Sequence, residues 1–175
     1  MTGGIFLCLA LVYRGKLEMY ERQSSIYGEG SLFALTQDEL KSQIKQIMEQ
    51  HKIGTLATVK NDKPHTRYMT FWNDEQFTFY TPTNSDTHKA DEIEANPNVH
   101  ILIGYEGEGY GDTYLEVEGQ AKIREDQEIK EELWSERMNR WFDGKDDPNY
   151  IVLEIMPESI RLMNEGEDTP ATLDL

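Results

Sequence analysis

The chain has 175 residues, a formal net charge of −16 from 33 acidic and 17 basic side chains, and one cysteine, Cys8. A field this negative repels nucleic acids and anionic membrane surfaces, so neither is an expected partner. A single cysteine allows no internal disulfide and no thiolate metal cage, which favours a reducing, cytoplasmic location. The apolar run at residues 5–13 is too short to cross a bilayer, and its flanking charges are in the reverse order to those of a signal peptide.

Hydrophobic periodicity divides the chain into three parts. Residues 1–34 have no sustained helical or strand period, and we interpret them as a disordered N-terminal extension or as the product of a misassigned start codon. Residues 35–165 carry the periodic segments and are predicted to form one folded domain. Residues 166–175 are predicted to be a flexible tail.

Three helices are predicted. Thr36 and Glu39 have the residue types and spacing of a capping box, so the first helix begins there and ends near His51. A short helix is predicted at about 87–95, before an Asn-Pro pair, and a longer amphipathic helix at about 126–142.

The other periodic segments are β-type runs rich in branched and aromatic residues. The first two runs flank a turn at 61–64 and are predicted to form a hairpin. Predicted strands lie at 53–59, 65–72, 77–81, 99–105, 114–123, 150–155 and 159–163. Because many strands and few helices occur without βαβ alternation, the pattern predicts a predominantly antiparallel barrel.

A local group of cations interrupts the otherwise acidic sequence. Strand alternation places His65 and Arg67 on one face of the second strand, and the predicted helix start at Thr87 offers free amides and a positive dipole end. Together with Lys89, these groups would form a phosphate site. Charge alone leaves a second interpretation open, in which the cations pair with nearby carboxylates or face solvent. The group comprises Lys63, His65, Arg67, His88 and Lys89.

The acidic, glycine-rich segment 106–112 is the place where a metal site would be sought. Glu106, Glu108 and Asp112 alternate with glycines, but their spacing does not fit an EF-hand calcium loop. We interpret the segment as a hairpin loop and predict no metal site.

A series of short motifs occurs along the chain. They lie at 53–59 (IGTLATV), 64–69 (PHTRYM), 79–81 (FYT), 87–90 (THKA) and 96–99 (NPNV). In this order they resemble the pyridoxamine 5'-phosphate oxidase-like superfamily of FMN-binding split barrels. Later motifs at 141–144 (WFDG), 147–148 (DP) and 157–161 (PESIR) are similar to its general stress protein branch. The resemblance implies a mainly β (α+β) fold, namely a six- to seven-stranded antiparallel split β-barrel with flanking helices, and a homodimer with FMN sites at its interface.

The resemblance also implies roles for individual residues. Arg67 corresponds to a strand arginine that binds the FMN phosphate, and His88-Lys89 to an arginine–lysine pair that binds the same group. Histidine in place of arginine is expected to weaken phosphate binding at high pH. Tyr114 occupies the position of a flavin-contacting glutamine. The implied cofactor-binding residues are Arg67, Tyr68, Met69, Thr70, Tyr80, Thr81, Thr87, His88, Lys89 and Tyr114, and no catalytic residue is assigned.

The function implied is that of an FMN-binding general stress protein and flavin-dependent oxidoreductase of unknown substrate. The alternative is a non-catalytic protein that binds, stores or senses flavin. Vitamin B6 oxidation is not expected, because the segment from Arg161 onward lacks the Arg and His that hold pyridoxal phosphate in the true oxidase. Split barrels also hold deazaflavin or haem, but the net charge disfavours a polyanionic tail and haem requires an axial ligand.

An aromatic stripe in the long predicted helix has two interpretations. Trp134, Trp141 and Phe142, together with Tyr114, are candidates for the wall that a second subunit adds to the flavin site; alternatively, the stripe caps the barrel within one chain. The helical spacing favours core or dimer contacts for the two tryptophans over stacking on a flavin.

Overall fold

The computed structural model describes residues 35–107, 111–166 and 169–175, so the predictions for 1–34 lie outside the described residues. None of the helices within these ranges is long and apolar enough to cross a bilayer. The elements are helix α1 (Gln37–Gln50), strands β1 (Ile53–Lys60), β2 (Lys63–Thr70), β3 (Trp72–Asn73) and β4 (Phe79–Asn84), helix α2 (His88–Ala95), strands β5 (Asn98–Ile103) and β6 (Tyr114–Arg124), helix α3 (Gln127–Leu133), a 3-10 helix (Glu136–Arg140), and strands β7 (Tyr150–Met163) and β8 (Ala171–Thr172).

One antiparallel sheet forms the body of the domain. Its strands follow the order β2-β1-β5-β6-β7-β4-β3, and β8 pairs with β7. β2 and β3 lie at opposite ends of this order, yet Phe71 is the one residue between them. The sheet must therefore curl until its two ends meet. This confirms the predicted mainly β split barrel, in which the described residues form seven strands along the path and three α-helices beside it.

Helix α1 begins and ends as predicted. The Thr36 hydroxyl accepts from the Glu39 amide at 3.3 Å, and the Glu39 carboxylate accepts from the Thr36 amide at 3.0 Å, which completes the capping box. Leu40, Ile44 and Met48 recur on one face and are buried in the core. The local sequence thus sets both the start of the helix and the face that it packs against the sheet.

The β1–β2 hairpin also follows from local sequence. Asn61 and Asp62 have φ values of 51° and 60°, the left-handed conformation that a tight two-residue hairpin requires and that Asn and Asp adopt most readily among residues with a side chain. The turn fixes a register in which Leu56 pairs with Arg67. This register carries the predicted phosphate-binding arginine to the end of the barrel where α2 packs on β1.

The prediction of one continuous helix at 126–142 is wrong, because the chain forms two separate helices there. α3 stops at Leu133 because Trp134 adopts an extended conformation, and a separate 3-10 helix begins after Ser135, whose hydroxyl accepts from the Arg137 amide. The spacing of the apolar residues correctly indicated buried positions, since Leu133 and Met138 are both buried. Periodicity did not reveal that the chain changes direction between them.

The two strands predicted at 150–155 and 159–163 are one continuous strand, β7. Its register against β6 shifts between Glu118 and Gly119, so that Pro157, which has no N–H to donate, stands opposite Gly119. A Cβ atom at Gly119 would lie 2.3 Å from the Met156 carbonyl oxygen. Glycine there lets β7 pass without a break.

The chain after residue 168 differs from the predicted flexible tail. Ala171–Thr172 forms strand β8 on β7, and the Leu173 amide donates to the Ile160 carbonyl oxygen at 2.9 Å. The Leu173 side chain is buried. Ala171, Leu173 and Leu175 alternate with polar residues at strand spacing, a short signal that the prediction overlooked.

Candidate functional site

A cavity of about 490 Å³ opens between the ends of β2 and β4, the start of α2 and the segment after α3. Its volume lies in the usual range for small-molecule sites. The wall combines apolar and aromatic side chains with hydroxyl, amide and ammonium groups. The lining residues are Ile53, Tyr68, Met69, Thr70, Trp72, Pro82, Thr83, Asn84, Thr87, Lys89, Met138, Trp141 and Phe142.

The structure brings together about half of the residues predicted for cofactor binding. Five of the ten line the cavity, namely Tyr68, Met69, Thr70, Thr87 and Lys89. Arg67 is not part of the wall, but it is close enough to Lys89 to perturb the titration of that amine. The cavity wall does not include Tyr80, Thr81, His88 or Tyr114.

Lys89 is a partly buried cation that forms no ion pair with any residue that the structure describes. Burial lowers the pKa of its ammonium, and the neighbouring Arg67 guanidinium lowers it further, while Glu92 acts in the opposite direction. Among the described residues, none forms a hydrogen bond or ion pair with the Lys89 side chain. An anion in the cavity would therefore relieve an unfavourable charge arrangement.

The start of α2 leaves its first backbone amides without a side-chain cap. The Thr87 hydroxyl donates to the Asn84 carbonyl oxygen at 2.7 Å instead of accepting from the helix. By contrast, Thr36 caps α1 and Asp126 caps α3 with a side-chain oxygen. Free amides at a helix start attract anions, and these lie beside Lys89.

Arg67 belongs to a buried network that the sequence analysis did not foresee. Its Nη2 donates to Glu92 Oε2 at 3.0 Å, and its Nη1 donates to Thr58 Oγ1 at 2.6 Å and to the Leu56 carbonyl oxygen at 3.3 Å. Glu92 also accepts from the Thr58 hydroxyl at 2.5 Å, and its other oxygen lies 2.8 Å from His65 Nδ1. The second interpretation of the sequence analysis thus holds for Arg67 and His65, which contact Glu92, and for Lys63 and His88, which are exposed. Lys89 forms no such pair among the described residues.

The Glu92 carboxylate is ionised although its side chain is only 2% exposed. Burial by itself raises its pKa, but hydrogen bonds from Thr58, His65 and Arg67 and the charge of Arg67 outweigh that effect and lower the pKa to about 2. In sequence, Glu92 lies among several acidic residues of α2. The one available signal was its position between Ala90 and Ile93, the two apolar residues that define the buried face.

The aromatic stripe is divided between the interior and the cavity. Phe142 and Trp134 pack against the fully buried Tyr150, with ring centroids 4.9 and 5.6 Å away, so part of the stripe caps the barrel within one chain. Trp141 instead lines the cavity, is 63% exposed and carries the Arg140 guanidinium over its ring at 4.6 Å. Its exposed position on the cavity wall suits contact with a second subunit or with a ligand, and both stay predictions.

Three other residues predicted for cofactor binding lie outside the cavity wall. Tyr80 packs against the cluster around Tyr150, and its hydroxyl donates to Asp74 at 3.1 Å; burial, and secondarily Asp74, raise its pKa. Thr81 is buried, and its Oγ1 has no hydrogen-bond partner among the described residues. Tyr114 lies at the start of β6, where its ring meets Tyr105 edge-on.

The described ends of the acidic segment between β5 and β6 are joined by a hydrogen bond. The Asp112 carboxylate accepts from the Gly107 amide at 2.6 Å, as expected for a hairpin loop. Within the described ranges, no three His, Cys, Asp or Glu side chains are grouped as metal ligands. Glu108 lies outside these ranges.

Comparisons with known proteins agree with this fold. The family model described as pyridoxamine 5'-phosphate oxidase matches residues 40–164. General stress protein 26 of Bacillus subtilis (strain 168) is 57% identical over 141 residues, which cover 81% of this chain and 100% of that protein.

Solved structures give the same result. General stress protein 26 from Bacillus anthracis str. Sterne is 38% identical with a TM-score of 0.69, over 78% of this chain and 98% of that chain. A protein from Clostridium acetobutylicum described as related to general stress protein 26 shares the fold at 20% identity, with a TM-score of 0.68. The chain therefore belongs to the pyridoxamine 5'-phosphate oxidase-like family, in the group of general stress protein 26.

Proposed function

We propose that this chain is a cytoplasmic FMN-binding protein that acts as a flavin-dependent oxidoreductase on a substrate not yet known. The observation that carries the proposal is Lys89, a partly buried cation with no ion pair among the described residues, beside Arg67 and the uncapped start of α2. These groups would hold the FMN phosphate, since ammonium, guanidinium and free helix amides all prefer an anion. Members of this family generally bind flavin or related cofactors.

The rest of the cavity suits the flavin ring. Among the described strands, β2 pairs with β1 alone, so its other edge has backbone groups free to meet the polar atoms of the ring. Tyr68, Met69 and Thr70 lie on this edge and line the cavity. Trp141 offers an exposed aromatic face on another part of the wall. The groups around Lys89 suit the phosphate of FMN. The strand edge and the aromatic face of Trp141 suit its ring.

The described cavity wall contributes no evident general acid or base. Its ionisable side chains are Tyr68 and Lys89, and it contains no carboxylate or imidazole. A bound flavin would itself supply the electron-transfer chemistry, and the protein would bind it, orient it and exclude water. The same observation favours a second candidate function, in which the protein stores or senses flavin without turning over a substrate.

A flavin titration tests both functions. The purified protein should bind one FMN per subunit and bind FMN more tightly than riboflavin, because only FMN carries the phosphate. Equal affinity for the two flavins contradicts the proposed site. Reduction of bound FMN by a nicotinamide donor, followed by absorbance, supports the oxidoreductase, whereas bound FMN that no nicotinamide reduces supports the storage or sensing role.

We propose further that the working unit is a homodimer. Ile53, Tyr68 and Trp141 at the rim of the cavity are 66%, 79% and 63% exposed. Large apolar side chains grouped around a site favour association, and a second copy placed there would cover the open side of the ligand. In that arrangement two identical sites lie at one two-fold interface.

A further inference from the structure

We infer that Glu92 is a positioning residue for phosphate recognition: it holds the guanidinium of Arg67 in one orientation, and the preference for phosphorylated flavin depends on that orientation. The inference rests on the proposed FMN site and adds to it a residue that does not touch the cavity. It assigns to an acidic side chain a favourable part in binding an anion.

The geometry of the network supports this role. Glu92 Oε2 accepts from both Arg67 Nη2 at 3.0 Å and the Thr58 hydroxyl at 2.5 Å, and Thr58 accepts in turn from Arg67 Nη1 at 2.6 Å. The three side chains close a ring of hydrogen bonds. Thr58 is 1% exposed and the Glu92 side chain 2% exposed, so water does not compete for these contacts.

The ring leaves some N–H donors of Arg67 without a hydrogen-bond partner among the described residues. A guanidinium carries five N–H donors, and three hydrogen bonds are formed by Arg67, to Glu92, Thr58 and the Leu56 carbonyl oxygen. About two N–H groups remain, which is the number that a bidentate contact with a phosphate uses. A guanidinium held in one orientation loses less conformational entropy on binding a phosphate than a mobile guanidinium does.

Glu92 has two opposing influences on a phosphate, and their signs make the inference testable. Its negative charge lies close to Arg67 and Lys89, so by charge alone it repels the phosphate, and its neutralisation should tighten FMN binding. If Glu92 instead orients Arg67, neutralisation releases the guanidinium and weakens FMN binding. The two roles thus predict changes in opposite directions.

The experiment is FMN and riboflavin titration of the E92Q variant. We expect FMN affinity to fall about tenfold with riboflavin affinity unchanged, because a lost hydrogen bond to a charged group is of that order. E94Q is the matched control: it removes the same charge from the same helix at an exposed position, and its flavin affinities should equal those of the wild type. Unchanged or tighter FMN binding by E92Q overturns the inference.

Two further variants separate positioning from a general loss of structure. T58V keeps every charge but removes the hydroxyl between Arg67 and Glu92, so it should also lower the preference for FMN over riboflavin. In an R67A background, E92Q should cause no additional loss of FMN affinity, because the residue that it positions is gone. An equal additional loss in that background contradicts the inference. If E92Q does not fold, T58V decides the question.

An apo measurement separates this inference from the FMN proposal. The side-chain N–H signals of Arg67 in ¹⁵N–¹H spectra of the flavin-free protein should show restricted guanidinium rotation in the wild type and averaging in E92Q. If wild type and E94Q show no preference for FMN but Arg67 is restricted, the FMN proposal fails and the positioning contact stands. If Arg67 rotates freely in the flavin-free wild type, the positioning inference fails whatever the flavin result.

Discussion

Arg67 and Glu92 are 25 residues apart in sequence, and a 3.0 Å hydrogen bond joins Nη2 of the first to Oε2 of the second inside the barrel end. The pair links β2 to α2, and residues at the end of the one and at the start of the other line the cavity. The contact is therefore both a tertiary link and a part of the candidate site. Its influence on stability and on binding can be measured separately.

Acid should remove the stabilisation that Glu92 contributes. Its pKa is about 2 in the folded protein against an ordinary value of 4.5, so its contribution is fully present above about pH 4.5 and is lost as pH falls toward 2. Denaturant unfolding of the wild type between pH 2 and 7 should show this decline. E92Q should show a shallower decline over the same interval, and E94Q the full one. An E92Q curve parallel to the wild-type curve would contradict the assigned pKa.

Removal of the cations should reduce FMN affinity selectively. R67A should lose about 2 to 4 kcal/mol of FMN binding, from the charge-assisted contact and the carboxylate left unpaired. K89M should lose FMN affinity as well, whereas K63M removes an exposed cation of the β1–β2 hairpin and should bind FMN normally. Calorimetric titrations with FMN and riboflavin check this. A matching loss of riboflavin affinity would show that the cations do not address phosphate.

Trp141 and Phe142 are adjacent but should respond differently to alanine. W141A should weaken FMN and riboflavin by the same factor while changing the free energy of unfolding by less than about 1 kcal/mol, because Trp141 is exposed. F142A should cost about 3 to 5 kcal/mol of stability, because Phe142 is buried against Tyr150. Denaturant unfolding and flavin titration of both variants test this contrast. Loss of FMN binding alone in W141A would argue against a ring contact.

Residues 1–34 should be dispensable for folding and flavin binding. The capping box at Thr36 already gives α1 a complete N-terminus without any upstream residue. A truncation that begins near Leu32 should therefore unfold at the same denaturant concentration as the full chain and bind FMN equally. An insoluble or colourless truncated protein would show that the upstream segment belongs to the fold.

Dimerisation and FMN binding should be linked. If the open side of the cavity is covered by a second copy, FMN stabilises the dimer by mass action. Sedimentation of apo and FMN-loaded protein over a concentration series should show tighter association with FMN. A flavin-saturated species that stays monomeric at micromolar concentration contradicts a shared site.

Local sequence was sufficient for much of the fold. The capping box of α1 and the turn at Asn61-Asp62 were predictable because their determinants lie within four residues of one another. The break after Leu133 was not, because Trp134 continues the apolar pattern although its backbone is extended. Trp141 therefore lies beyond the helix, on the cavity wall.

The sequence predicted the cations of the candidate site but not the buried carboxylate of Glu92. Lys89 and the helix start at Thr87 have local signatures, and both line the cavity. Glu92, by contrast, has the same chemistry as the exposed Glu94, and only packing of α2 against β1 makes one carboxylate buried and the other free. The orientation of Arg67 is thus a tertiary property.

Phe71 lies where the two ends of the curled sheet meet, a place that we call the seam. Because it alone separates β2 from β3, the two ends of the sheet are held together by peptide bonds, and the Phe71 amide anchors the seam through a 2.7 Å bond to the Lys52 carbonyl oxygen. An inserted or deleted residue at this point would reverse the side-chain alternation on one side of the seam and turn Trp72 away from the ligand cavity. We therefore expect the length of the chain at this point to be fixed by the pocket, because a change of length would reorient Trp72.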